Sequence, residues 1–374
     1  MHGGREAVYA SAILERKEGG GLYQSGRASI FALMSLIHLP EEYLKLVRES
    51  GWLLLDTRSP SEYRQAHIPG AINLPLLNDE HRAAVGTAYK QQGRDAAVLL
   101  GFELVGPSFA GFVKQVRELT ENREISLYCW RGGMRSGIMA WVLELAGYRV
   151  HVLKGGYKAY RARVREQLVT PMPLRVLGGR TGSGKTELLQ ALAAAGEQVI
   201  DLEALANHKG SAFGGLGQEP QPSNEQFENL LAGRIGKLDP ARRVWIENES
   251  RTIGRVKLPD TLYEAIRNAP VTELVVPDSV RRERILHEYG SFPVEQLAEK
   301  TAQLQKRLGL ERTRTAITAL HEGRLHDWLD CILPYYDKTY DYGNSLREEG
   351  SLIKVVSKTN ESYTDIAKRF ISIS

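Results

Sequence analysis

Two short segments place anion-holding or reactive residue types at spacings that chemistry uses. Gly179-Arg180-Thr181-Gly182-Ser183-Gly184-Lys185-Thr186 is a complete G-x-x-x-x-G-K-T pattern. It sits between an apolar run at 174–177 that reads as a strand and a helical stretch at 185–195. Glycines in such a loop let successive N–H groups face one phosphate, and the start of the next helix adds its dipole. Lys185 is then placed to pair with terminal phosphates, and the Thr186 hydroxyl to reach Mg²⁺ if a nucleotide or diphosphate is bound. The candidate partner carboxylates are Asp201, at the end of the following strand, and Glu247 or Glu249, at the end of a later one. Spacing does not choose among them. The second segment is Cys129-Trp-Arg131-Gly-Gly-Met-Arg135-Ser136. A cysteine that ends a strand, followed by a tight turn and a helix, is ringed by amides, and two arginines add positive charge. That setting favours a thiolate and a cradle for an anion attached to, or attacked by, the sulfur. Cys331, within Trp328-Leu-Asp-Cys-Ile-Leu-Pro, reads instead as a small buried hydrophobe.

The elements that must hold these loops are legible as alternating strands and helices. Strands are expected at 52–56, 71–75, 125–129 and 149–153, with a helix after Cys129 carrying Ile138, Trp141, Val142 and Leu145 on one face. A basic helical stretch at 157–173, closed by Pro171 and Pro173, reads as a connection. A second series follows, with strands at 174–177, 198–202, 243–246 and 272–276 and a mostly helical remainder from 279. The pattern is that of parallel α/β sheets. Residues 210–223, rich in Gly, Pro and Gln, read as a mobile loop.

Composition narrows the class. The 374 residues are 42% hydrophobic and 25% charged, the mix of a folded chain long enough for two domains. No apolar run of the roughly 18 residues that cross a bilayer is expected, and with it no membrane association. Two cysteines make no disulfide framework and fit a reducing cytoplasm. Net charge is only +4, but cations cluster at Lys154–Arg165, at Arg281, Arg282 and Arg284, and at Lys306, Arg307, Arg312 and Arg314. These clusters are expected to track phosphates if they converge in space.

Asp56-Thr-Arg58-Ser-Pro-Ser-Glu62 with His67-Ile-Pro-Gly-Ala-Ile-Asn73 resembles the rhodanese domain, in which a cysteine carries sulfur or selenium. One departure is visible: Arg135 follows Cys129 by six residues rather than the usual five, a C-x5-R-S loop that also matches cysteine-dependent phosphatases. The fusion of that domain to a P-loop domain resembles the bacterial tRNA 2-selenouridine synthases. The stretches that carry this narrower likeness are 82–93, Gly155-Gly-Tyr-Lys-Ala159, His208-Lys-Gly-Ser-Ala-Phe-Gly214, Phe227-Glu-Asn-Leu-Leu231 and Glu249-Ser-Arg-Thr-Ile-Gly254.

The resemblance implies a rhodanese-like parallel-sheet domain at 39–165 and a P-loop NTPase-like α/β domain with a helical C-terminal part at 166–374; residues 1–38, broken by Gly3, Gly4 and Gly19–Gly21, read as an N-terminal extension with no counterpart in it. It implies a transferase acting in two steps on the wobble 2-thiouridine of tRNAs for Lys, Glu and Gln: S-geranylation from geranyl diphosphate, then selenation from selenophosphate. By motif position, Cys129 is the nucleophile, passing through a perselenide, and Arg131 and Arg135 hold the phosphate. Residues 179–186 are expected to hold the diphosphate or a nucleotide; Asp201, Glu249 and Arg251, read from their strand-end positions, are expected as further binding residues, and no resident metal is assigned. Asp56, Arg58 and His67 are expected to fix geometry. His208, Lys209 and Ser211 either close over a ligand or are ordinary loop polarity, and Tyr335, Tyr336, Tyr340 and Tyr342 either stack on bases or pack a helix. Trp130 either covers the prenyl chain or fills its loop. The expected partner is tRNA and the expected state a monomer. The competing readings are a sulfurtransferase coupled to an ATPase, a phosphatase fused to a kinase-like domain, and a non-catalytic RNA-binding module.

Overall fold

A computed structural model describes residues 35–358 and 361–373. Its first half is a five-stranded parallel sheet of order β1-β5-β4-β2-β3, from Leu36–His38 (β1), Leu53–Asp56 (β2), Ile72–Asn73 (β3), Glu124–Tyr128 (β4) and Arg149–Leu153 (β5). The helices around it are α1 (Pro40–Ser50), α2 (Pro60–Gln65), α3 (Asp79–Gln92), α4 (Arg94–Val105), α5 (Phe109–Leu119), α6 (Met134–Leu145) and α7 (Gly156–Leu168). Ile125 to Tyr128 are all buried, as expected of a central parallel strand covered on both faces. Residues 36–38, assigned from sequence to the extension, instead form the edge strand β1 in register with His151–Leu153. The remainder of that extension, 1–34, lies outside the described residues.

The second half repeats the logic with order β12-β11-β6-β8-β7, all parallel. Its strands are β6 (Leu174–Gly178), β7 (Gln198–Ile200), β8 (Val244–Glu247), β11 (Val271–Val275) and β12 (Leu352–Val356), and Thr252–Ile253 (β9) and Val256–Lys257 (β10) make a separate hairpin. Helices α8 (Lys185–Ala194), α9 (Leu202–Ala206), α10 (Asn224–Ile235) and α11 (Asp260–Asn268) accompany the sheet. A helical region follows as α12 (Asp278–Tyr289), α13 (Val294–Gln303), α14 (Gln305–Leu308), α15 (Leu310–His321) and α16 (Leu325–Ser345), and α17 (Tyr363–Ile373) closes the chain. The edge strand β12 was not expected within a helical remainder. It is added by pairing with β11, a partner some 80 residues earlier.

Three further expectations change. The basic stretch read as a connection is α7, whose Tyr157, Tyr160, Val164 and Leu168 are buried in one core with Phe227, Leu231 and Ala232 of α10. The presumed mobile loop is anchored, because Phe213 and Leu216 enter the helical C-terminal core beside Trp328. An apolar helical run does exist: 94–119 is long and apolar enough to cross a membrane by length and composition. It is broken by a 3₁₀ turn at Gly106–Ser108, and Ala97, Val105, Phe112 and Val116 are buried against the protein.

The halves are joined by hydrogen bonds as well as by apolar contact. Asn229, fully buried on α10, donates to His67 O (2.9 Å) and Tyr157 Oη (2.8 Å) and accepts from Arg161 (2.5 Å). Gln226 accepts from the His67 N–H (2.8 Å), and Tyr157 Oη donates to Glu225 (2.7 Å). Removing the Asn229 amide strands several buried groups at once. Asn229→Ala is therefore expected to lower the unfolding free energy by about 1–3 kcal/mol, measured by urea denaturation followed by tryptophan fluorescence.

Candidate active site

Cys129 follows directly on β4 and is buried beneath its loop. Its Sγ lies 3.2 Å from Ser136 Oγ, which donates to Gly133 O at 2.9 Å. The start of α7 clamps the loop from behind: the Tyr157 and Lys158 N–H groups donate to the carbonyls of Cys129 (2.8 Å) and Trp130 (3.0 Å). Gly156 makes this approach possible. Its φ is +59°, and a Cβ there would lie 2.2 Å from Cys129 O and 2.6 Å from Gly132 N. Beneath the same loop, Arg58 is bound to Asp56 (2.6–3.0 Å) and to Ala66 O (2.6 Å), and its guanidinium stands 3.8 Å from the Tyr157 ring centre and 5.9 Å from that of Trp130.

The two loop arginines differ. Arg131 is exposed, with no ion pair or side-chain hydrogen bond among the described residues. Arg135 is already engaged, pairing with Glu62 at 2.5 Å, while Glu62 also accepts from the Ser59 N–H (2.9 Å). Burial pushes the Glu62 carboxyl up, but Arg135 outweighs it and holds the group below the ordinary carboxylate range. An anion in this loop therefore meets one open guanidinium and one that it must share with Glu62.

The second loop, between β6 and α8, is buttressed from α12 and α16. Arg281, buried, donates to Thr181 O (3.0 Å) while paired with Asp337 and Asp278, and Arg284 donates to Gly182 O (2.7 Å). Arg180 pairs with Asp341 (2.6 Å), and Tyr340 Oη accepts from the Gly179 N–H (2.6 Å). Gly182 has φ +78°, and a Cβ there would press on Arg281 O and Ile285 at 2.8 Å. Lys185 Nζ donates to Gly179 O (3.1 Å). Ser183 Oγ is buried with no partner among the described residues, the kind of orphaned hydroxyl that a phosphate oxygen would satisfy. Thr186 is partly exposed beside it. No hydrogen bond or ion pair joins the two loops among the described residues.

Beside Lys185 lies a carboxylate cluster that sequence reading saw in part. The ends of β7 and β8 are adjacent in the sheet, so Asp201 and Glu203 face Glu247 and Glu249. Asp201 caps α9 through the Ala204 N–H (2.7 Å). Glu247, fully buried, accepts from the Leu202 (2.7 Å) and Glu203 (3.2 Å) N–H groups, and its other oxygen has no partner among the described residues. Glu203 was missed. The signal was present as two acid-x-acid pairs at the ends of neighbouring strands, but their adjacency follows only from the sheet order. Burial first, then Glu249, push the Glu203 carboxyl up to about 8 against the pull of Lys185; burial also raises Asp201, Glu247 and Glu249. Gly210 lets the backbone close over Glu203 and Glu249, whose oxygens lie 2.8–3.1 Å from where its side chain would begin. Among the described residues no three His, Cys, Asp or Glu side chains converge in a metal-ligating arrangement.

Other expected residues fall elsewhere. Arg251 is exposed, paired with Asp260 (2.5 Å) and set over Tyr263, and makes no hydrogen bond to the P-loop among the described residues. Lys209 pairs with Glu288, Ser211 Oγ faces Tyr289 Oη at 3.5 Å, and His208 is buried. Tyr336 accepts from the Ala212 N–H (3.2 Å), so Tyr336 and Tyr340 pack the fold while Tyr342 is exposed. Cys331 is partly buried against the helical core.

The rhodanese-like domain family matches residues 39–163, and the tRNA 2-selenouridine synthase AAA domain family matches residues 172–369. A tRNA 2-selenouridine synthase of Shewanella denitrificans is 35% identical over 80% of this chain and 90% of its own length. The chain belongs to the tRNA 2-selenouridine synthase family. Relatives with the same name from Bdellovibrio bacteriovorus and Nitrosomonas europaea are each 42% identical, over 68% and 63% of this chain and 69% and 63% of their own lengths. Among solved structures, the N-terminal domain of a Clostridium difficile protein described as ATP/GTP binding is 40% identical over 34% of this chain and 98% of its own, with a TM-score of 0.32. The Bacillus anthracis CoADR-RHD structure is 24% identical over 35% of this chain and 17% of its own, with a TM-score of 0.24.

The carboxylate cluster gives a signed prediction. A carboxyl raised to about 8 holds a proton that the unfolded chain has lost, so its contribution is complete below the ordinary value near 4.5 and disappears as pH rises through about 8. Urea midpoints are expected to fall between pH 5 and pH 8 in the native sequence and to fall less steeply in Glu203→Gln. An unchanged slope would count against the raised Glu203.

Proposed function

We propose that this protein converts the wobble 2-thiouridine of tRNAs for Lys, Glu and Gln into 2-selenouridine in two steps divided between its two loops. In the first, the 2-thio sulfur attacks C1 of geranyl diphosphate, the C1–O bond breaks, diphosphate leaves and the base loses its N3 proton. The Gly179–Thr186 loop holds the diphosphate through its amides, Lys185 and the unpartnered Ser183 hydroxyl. In the second, selenophosphate held beside Cys129 gives its selenium to C2 of the base: the C2–Se bond forms, the C2–S bond to the alkylated sulfur breaks, and water cleaves the P–Se bond. Geranyl thiol leaves with a proton and the phosphorus ends as phosphate, water supplying its oxygen, so the net exchange is redox-neutral. Alkylation is what makes the second step feasible, because a thiocarbonyl sulfur is a poor leaving group.

The observation that carries this reading is the pairing, within a chain of this family, of a Cys129 loop braced for an anion and a phosphate cradle on one continuous core. The cations left without ion-pair partners among the described residues support tRNA as substrate. Arg131, Lys154, Lys158 and Arg165 are exposed around the Cys129 loop and α7, and Lys306, Arg307, Arg312 and Arg314 on and beside α14 and α15. The 281–284 cluster is largely spent on the P-loop and on Asp330.

The test incubates the protein with 2-thiouridine tRNA, geranyl diphosphate and selenophosphate and analyses the nucleosides by mass spectrometry. Cys129→Ser is expected to abolish 2-selenouridine while geranylated nucleoside accumulates; loss of geranylation in that variant would refute the division between loops. Lys185→Ala removes a charged hydrogen bond worth about 1.5–3 kcal/mol and is expected to slow geranylation by about ten- to a hundred-fold. Affinity for tRNA is expected to fall steeply with salt, with a shallower slope after charge removal at Arg307 and Arg312, measured by filter binding.

A further inference from the structure

The apolar surface of α4 has more to do than cover the sheet. Between α3, α4 and the start of α6 lies a pocket of about 540 Å³, within the range of small-molecule sites of roughly 300–1,000 Å³. Leu76, Val85, Val98, Phe102, Met134 and Ile138 make its walls. Arg82, Lys90 and Arg94 stand exposed at its edge, Arg135 closes the side toward Glu62, and no acidic side chain lines it. Phe102 and Met134 are each about half exposed there (51%). Met134 and Arg135 are the first residues of α6, directly after the Cys129 loop, so the helix start that lines the pocket also bounds that loop.

Arg94 lies 4.0 Å from Asp95, while Arg82 and Lys90 have no ion pair among the described residues. An apolar cavity with cations at its edge suits an apolar chain attached to a polyanion. We propose that this pocket receives the geranyl chain of S-geranyl-2-thiouridine in tRNA, presenting the alkylated base to the Cys129 loop while flanking phosphates meet Arg82, Lys90 and Arg94. The proposal rests on the two-step reading and adds to it a site for the intermediate. Chain burial then supplies binding that the 2-thiouridine and 2-selenouridine forms lack. Geranylated tRNA is retained for the second step, and the product is released once geranyl thiol has left. Free geranyl diphosphate, which shares the prenyl chain, is assigned to the P-loop and not to this pocket.

The test uses the full-length protein and synthetic anticodon stem-loops carrying S-geranyl-, S-dimethylallyl- or S-methyl-2-thiouridine, so that binding is read without the first reaction. A buried methylene is worth about 0.8 kcal/mol, about four-fold in affinity, so S-geranyl is expected to bind at least about ten-fold more tightly than S-methyl, with S-dimethylallyl between them. Gly101 lines the pocket, and a Cβ added there meets nothing within 4 Å. Gly101→Leu therefore adds bulk at the pocket lining from a position that accepts a Cβ, and favours the helix, and it is expected to shrink the geranyl-to-methyl ratio to less than about three-fold. Phe102→Ala, which removes an exposed wall, should shrink the ratio by a second route. Equal affinity for the S-geranyl and S-methyl stem-loops, or an undiminished ratio in both variants, overturns the proposal. So does a Gly101→Leu protein that slows geranylation while selenating pre-geranylated stem-loop at the native rate, since the pocket would then serve the free donor. Failure of the native protein to form any geranylated nucleoside strikes the two-step reading instead, and is seen in a separate reaction.

Discussion

The buried Arg58 guanidinium is the constraint on which the rest of the arrangement depends. Removing an arginine from water is costly unless its charge and donors are all met. Here Asp56 meets the charge, Ala66 O takes a further donor, and the faces of Tyr128, Trp130 and Tyr157 surround what remains. Two of those aromatics also belong to the site and the interface. Trp130 is the residue after Cys129, and Tyr157 supplies an N–H to the Cys129 carbonyl while its hydroxyl bridges Glu225 and Asn229 of the other half. The position of the thiol and the mating of the two sheets are thus set by one ion pair and its ring of aromatic neighbours.

Stretches on which the likeness to the synthases rests lie where the two halves meet and close. The segment beginning at Gly155 and the α10 segment around Phe227 to Leu231 meet across the core. The His208–Gly214 segment folds back over Glu203 and Glu249 and sends Phe213 into the helical region. They are interface and closure elements whose demands come from the fusion.

The cations divide into two economies. Those of α12 are withdrawn from solvent: Arg281 and Arg284 brace the P-loop carbonyls, and the negative charge of Asp337 and Asp341 keeps that local field from becoming strongly positive. Those around the Cys129 loop, on α3 and on α15 remain at the surface, where they are available to a backbone of phosphates. Net charge conceals this partition, since a chain at +4 can still present continuous positive ground if its acids are buried or paired.

Much of the architecture was readable along the chain. The strand Arg149–Leu153 and the strand-loop-helix around Gly179–Thr186 appear where apolar runs, glycines and helical spacing put them, because strand, turn and helix preferences act over a few residues. The chemistry of Cys129 and Lys185 was legible for the same reason: each lies within a contiguous loop whose spacing dictates which amides surround it. What the sequence could not decide was which charges would meet. Arg135 finds Glu62 across 73 positions, Arg281 finds Asp337 across 56, and Glu203 joins Glu247 and Glu249 only because β7 and β8 are neighbours. Likewise α7 became core, 36–38 and 352–356 became edge strands, and the apolar stretch 94–119 divided between a pocket wall on α4 and core on α5. Local backbone geometry is written in covalent neighbours. The pairing of charges and the enclosure of apolar surface depend on distances that exist only once sheets, helices and the two halves have packed.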